Sequence, residues 1–291
     1  MNADRPDDSA PARQGDALRG LRRKLARLAA ASAPNTPPSD AIVYRRDLPR
    51  EAPRRAESGP GICIPLDRLV EGIEASSPRG PAFYLIESPA GPQLAPALPR
   101  ALASLPLGDA PPLGPEDACF LDVETTGLGT ATIFLIGTLV WRDGHLVCRQ
   151  LLARTYAEEA SILACFAEQA RDARLLVTFN GKTFDVPSLR ARAARARVVL
   201  PEPPLHFDLL HAARRRYGGT LPDCRLQTLE RCICRRHRGA DIAGADIGRA
   251  YHDYVRTGDA REIALIVQHN RHDLVTVAEL LTRLLAPPAE Q

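Results

Sequence analysis

The sequence predicts an α/β domain built on a mixed five-stranded sheet with helices on its faces. Three observations carry that expectation. A stretch dense in proline and glycine between Pro89 and Pro115 ends abruptly in strongly apolar sequence at Ala118. Three apolar runs then follow one another with only short turns between them. Beyond them, short apolar runs alternate with segments of helical periodicity to the end of the chain, which is the pattern of a sheet covered by helices.

Taken in order, Cys119 to Val123 reads as the first strand and Ile133 to Trp141 as the second. The Arg142-Asp143-Gly144 turn leads into a third, His145 to Leu152, completing a meander. Glu158 to Ala170 is helical, with Ile162, Cys165, Phe166 and Gln169 on its spacing. Leu175 to Phe179 is a short buried strand, and a helix starts at Asp185. His206 to Leu209 supplies the fifth strand, and helices fill the rest, the last running from about Arg261 to Leu285.

Two segments precede this domain of residues 118–285. Residues 61–117 form a small structural addition, with a helix expected around Leu66 to Ile73 and a strand around Ala82 to Glu87. Residues 1–60 are rich in Pro, Ala, Ser, Arg and Asp and are expected to be a mostly disordered tail. Within it, residues 17–31 place Leu18, Leu21, Leu25 and Leu28 at helical spacing, with Arg19, Arg22, Arg23, Lys24 and Arg27 on the other faces. Such a short basic amphipathic helix suits docking on a protein partner or on its own domain.

Composition narrows the function classes. No run approaches the roughly 18 apolar residues of a membrane span, and the first fifteen residues are too polar for a secretory signal, so no membrane association is expected. Seven irregularly spaced cysteines point to reduced thiols in a cytoplasm, not to a disulfide framework. Of 38 basic residues only Lys24 and Lys182 are lysine, so the small positive net charge reflects a general arginine bias. Its distribution is more informative. From Val186 to Arg238 there are 12 arginines against Glu202, Asp208, Asp223 and Glu230, a local net of +8 that marks where a polyanion can lie. No Walker-type glycine loop supports an ATPase.

Three motifs carry chemistry. In Asp122-Val-Glu-Thr-Thr-Gly-Leu128, Asp122 and Glu124 alternate on a strand and so project on one face. Carboxylates that close repel unless a cation lies between them, and hard oxygen ligands suit Mg²⁺ or Mn²⁺. In Thr178-Phe-Asn-Gly-Lys-Thr-Phe-Asp185 a buried strand ends in a glycine turn, and Asp185 stands at a helix start. Alone it would read as an N-cap; Asn180, Lys182 and Phe184 beside it favour a site. In His269-Asn-Arg-His-Asp273, His269 and Asp273 lie four apart on one helical face, which Ile263, Ile266, Val267 and Leu274 do not explain.

Together these segments resemble the three motifs of the DEDD exonuclease superfamily, and the element order is similar to the ribonuclease H-like fold. More closely, Asn180 to Asp185, His206 to His211 with Arg214 and Arg215, Cys224 to Glu230 and His269 to Asp273 resemble the YprB-type predicted exonucleases. The resemblance implies that Asp122, Glu124, Asp185 and Asp273 hold two Mg²⁺ or Mn²⁺ ions. It implies a 3′–5′ exonuclease on single-stranded DNA or RNA, with Thr125, Thr126, Gly127 and Leu128 at the terminal nucleotide and Asn180, Lys182 and Phe184 also binding substrate. Superfamily members carry Tyr four residues, or His five residues, before the final Asp; here the four-residue position is His269 and the five-residue position Gln268. His269 is therefore the first candidate for general base and His272 the second. Asp208 reads equally as an extra acid or as a helix cap. Zinc on Cys224, Cys232, Cys234, His211 and His237 is disfavoured, because the spacing lacks paired Cys-x-x-Cys. A structure-specific endonuclease and a catalytically weak nucleic-acid-binding module are the alternatives.

Overall fold

The computed structural model describes residues 63–285 apart from 78, 91–93, 95, 106–110 and 130. The expected tail and its helix at 17–31 lie outside the described residues. The meander forms as expected, with β3 (Ala118–Thr125), β4 (Ile133–Arg142) and β5 (His145–Leu152) antiparallel. β6 (Leu175–Thr178) and β7 (Leu205–Asp208) add on the other side of β3 as parallel strands. The central strand β4 is buried on both faces over Ile133 to Leu139, which is why it reads as a continuous apolar run without alternation.

The sheet is nonetheless larger than expected. It has seven strands in the order β1-β2-β5-β4-β3-β6-β7, because β1 (Ile73–Ser77) and β2 (Gly80–Pro89) extend its β5 edge. The expected helix at Leu66 to Ile73 is a single 3₁₀ turn at Leu66–Arg68, and Ile73 opens β1. Pairing overrides the local apolar spacing there. β2 runs antiparallel to β5 from Tyr84 opposite Leu152 to Pro89 opposite Val147. Arg154 pins the two added strands, its guanidinium bonding Glu74 of β1 at 2.5 Å and the Ala82 carbonyl of β2 at 3.0 Å. The 61–117 segment thus contributes to the same sheet instead of standing apart from it.

Helices cover both faces. One core joins α2 (Glu159–Gln169), α3 (Asp185–Arg195) and α6 (Ile247–Thr257) to Leu121, Leu135 and Leu176 of the sheet. The other joins α1 (Leu98–Ala103), α4 (Leu209–Tyr217) and α5 (Leu226–Cys232) to Phe120, Leu139 and Val177. The long α7 (Arg261–Leu285) serves both, with Ile263, Ile266 and Val267 in the first core and Leu274, Val277 and Leu281 in the second. Its polar middle, His269 to Asp273, is thereby laid across β3 and β4. No helix among the described residues is long and apolar enough to cross a membrane.

Candidate active site

Asp122 and Glu124 alternate along β3 on the face that carries Ala118 and Phe120. The β3–β4 register shifts between Glu124 and Thr125, so the strand leaves regular pairing directly after the second acid. Asp185, the first residue of α3, accepts the Val123 N–H at 3.0 Å, which ties the second motif to the first. Asp273 joins them from α7. Burial, then Glu124, Asp273 and Asp185, push the Asp122 carboxyl well above its ordinary range. Burial, then Asp273 and Asp185, do the same to Glu124. Asp185 is pushed up to about 7, by burial first and by Asp208 and Asp273 in addition. These directions place four acids in one electrostatic cluster.

A cross-strand row supports the first acid. Asp122, Gly137 and Gln150 lie opposite one another on β3, β4 and β5. Asn270 is fully buried over this row, where a Cβ on Gly137 would stand 1.9 Å from its Oδ1. Its Nδ2 donates to Asp122 Oδ2 at 2.7 Å and to the Asp122 carbonyl at 3.2 Å, while its Oδ1 accepts from Gln150 Nε2 at 2.9 Å. Asn270 is thus the residue that orients Asp122.

His269 has an orienting partner too. Its Nδ1 meets Asp241 Oδ1 at 2.7 Å, and its Nε2 is 3.6 Å from Asp273 Oδ2. Burial raises the Asp241 carboxyl, but the His269 hydrogen bond and charge outweigh it and hold the group below its ordinary value. His272 lacks that placement, and its imidazole is pushed down by burial and by Arg238. Arg238 links the two systems: its guanidinium bonds Asp273 Oδ1, Glu230 Oε2 and Asp241 Oδ2. Asp241, Glu230 and Arg238 come from α5 and the loop after it. Sequence reasoning counted Arg238 and Glu230 only within the basic 186–238 segment, with Glu230 also closing the Cys224–Glu230 motif, and gave Asp241 no role.

The second motif is held by Asp208, which is structural. It accepts the N–H groups of Asn180 at 2.7 Å and Lys182 at 3.0 Å, and caps α4 through Leu210 N–H at 3.1 Å. Asn180 sits at φ 64°, a left-handed turn residue, and Gly181 packs so tightly on Thr178 that a Cβ would stand 2.5 Å from its side chain. Lys182 and Phe184 face outward, Phe184 49% exposed. After β3, Thr125 Oγ1 donates to the Gly127 carbonyl at 2.6 Å and Thr126 N–H to the Thr132 carbonyl at 3.0 Å, while Leu128 is 87% exposed. A cavity of about 860 Å³ opens between α3 and β7, with Lys182, Arg190, His206 and Arg215 among its lining.

The basic 186–238 segment is partly spent inside the protein. Arg190 pairs with Glu202, Arg192 with Glu159, and Arg236 and Arg238 with Glu230. Cys234 is buried with its thiol pushed up to about 12, first by burial, which suits a core residue and not a zinc thiolate.

Among the described residues no three His, Cys, Asp or Glu side chains converge as a ready-made ligand set. Three acids are turned onto protein donors: Asp122 onto Asn270, Asp185 onto Val123 and Asp273 onto Arg238. The donor chemistry still fits a hard divalent cation, since four carboxylates that raise one another's proton affinity are the groups such an ion relieves.

A family model described as the RNase H superfamily matches residues 119–285. The uncharacterized protein YprB of Bacillus subtilis strain 168 is 31% identical over 166 residues, covering 55% of this chain and 40% of that protein. The chain therefore matches less than half the length of this relative.

Proposed function

Since the chain belongs to the RNase H superfamily, we propose that it is a metal-dependent nuclease that acts as a 3′–5′ exonuclease on single-stranded DNA or RNA. The observation that carries this reading is the cluster of Asp122, Glu124, Asp185 and Asp273, whose charges oppose one another across three separate elements. A protein that merely binds nucleic acid gains nothing from concentrating negative charge where a phosphate must approach. Two Mg²⁺ or Mn²⁺ ions, when held by these acids, would neutralise the phosphate and acidify a water.

The chain's own residues do the rest. With Nδ1–H donated to Asp241, His269 keeps its Nε2 lone pair toward the acids, ready to take a proton from water. Asn270 fixes the carboxylate of Asp122. Leu128 and Phe184, exposed after Glu124 and just before Asp185, offer apolar surface to the terminal base, with Thr125, Thr126 and Gly127 at its sugar. Asn180 and Lys182 meet a phosphate, and Arg215 along the neighbouring cavity continues the positive track.

End-labelled single strands of DNA and RNA, incubated with Mn²⁺, test the reading. A 5′ label should give a ladder of products shortened one nucleotide at a time, and a 3′ label should leave immediately as a mononucleotide. Internal cuts would instead favour the endonuclease alternative, and binding without cleavage the binding module.

A further inference from the structure

Arg238 is the residue whose position the proposed chemistry does not use. Its side chain is 8% exposed, and three carboxylates share it: Asp273 of the acid cluster, Asp241 behind His269, and Glu230 of α5. The donors on the other acids are neutral. Asn270 gives an amide hydrogen to Asp122, and Val123 a backbone N–H to Asp185, and either bond can persist beside a cation. A guanidinium on Asp273 Oδ1 competes with a cation instead, because it brings a full positive charge to a carboxylate that a metal would need.

We propose that Arg238 is an internal counter-ion that holds the metal's place at Asp273 and is displaced from it when a divalent cation binds, so that this one side chain sets the cation affinity of the site. The inference rests on the metal-dependent reading above. The geometry gives the displaced side chain somewhere to stay: Glu230, only 3% exposed, and Asp241 remain as partners once Asp273 is released, so no buried charge is left alone. Before displacement, Arg238 lets the acids coexist in a folded protein without metal.

Isothermal titration of the full chain with Mn²⁺ separates the possibilities, with Asp122→Asn as the control that reports the acid site. Removing the competing charge in Arg238→Gln should tighten Mn²⁺ binding by about tenfold. Glu230→Gln removes a tether that draws Arg238 away from Asp273, and should weaken binding by about threefold. A plain structural bridge would move both variants in the same, weaker direction. Tightening in the first and weakening in the second supports the inference; Mn²⁺ binding in Arg238→Gln that is equal to or weaker than wild type overturns it. Should Arg238→Gln not fold, Arg238→Met, which removes the same charge, is titrated in its place, and Mn²⁺ binding equal to or weaker than wild type there overturns the inference. Absence of any Mn²⁺ binding that Asp122→Asn removes would sink the metal-dependent reading itself, and this inference with it.

Discussion

Asn270 Nδ2 donates to Asp122 Oδ2 at 2.7 Å through space that exists because position 137 has no side chain. The long helix and the central strand therefore meet at a residue that sets the direction of the first acid. A methyl group at 137 must push against an amide that is fully buried and bonded on both ends. Gly137→Ala is expected to cost about 1–3 kcal/mol in urea unfolding and to reduce cleavage beyond what the stability loss explains. Asn270→Ala should cost about 2 kcal/mol, since Gln150 Nε2 and Asp122 both lose a buried partner. Unchanged unfolding midpoints in both variants would contradict this arrangement.

Asp185 keeps its proton up to about pH 7 in the fold, against 3.8 for the free group. Between those values the folded chain binds more protons than the unfolded one, so the stability present at acid pH is lost as pH rises through about 7. Without divalent ions, Tm should fall from about pH 5.5 to about pH 8. Mg²⁺ takes the place of the protons, so it should raise Tm by several degrees at the higher pH and little at the lower, and EDTA should reverse the gain. A Mg²⁺ effect that is independent of pH would count against the acid cluster as its origin.

Two acidic positions should respond in opposite ways to neutralisation. Glu124 is buried and pushed up by burial and by Asp273 and Asp185, so Glu124→Gln should stabilise the metal-free protein by about 1 kcal/mol at pH 8 while removing cleavage. Asp208 accepts three backbone N–H groups, so Asp208→Ala should destabilise by about 2 kcal/mol or more. Thermal unfolding of the two variants side by side reads the contrast.

Asp241 is expected to act through His269. Asp241→Asn keeps the shape but removes the negative charge that fixes the imidazole proton on Nδ1, and should lower the cleavage rate by about 10²-fold with little change in substrate affinity. His269→Ala at full rate would remove the imidazole from the chemistry altogether.

Much of the fold was legible because β3 to β7 and α7 carry strong periodic signals: α7 begins at Arg261 and ends at Leu285 as the apolar spacing predicts. Residues 66–77 were not, since Leu66, Leu69, Val70 and Ile73 have helical spacing and only pairing with β2 makes β1 a strand. In the candidate site, the placement of the four acids was readable, on alternate positions of β3, at the start of α3 and within α7, while their grouping came from the motif resemblance. Their supporting residues were not. Asn270 depends on a glycine 133 positions away in sequence, Asp241 on a histidine one helix later, and Arg238 on three carboxylates from different segments. Such contacts are fixed by packing and leave no periodic trace.

The central claim is that Asp122, Glu124, Asp185 and Asp273 form one metal-dependent hydrolytic site, and mononucleotide release tests it most directly. Uniformly labelled single-stranded DNA and RNA would be incubated with wild type and with Asp185→Asn, each with Mn²⁺ and with EDTA. Nucleoside monophosphates should accumulate for wild type with Mn²⁺ alone, and Asp185→Asn, folded as judged by circular dichroism, should release none. Release that survives EDTA or persists in Asp185→Asn would contradict the account.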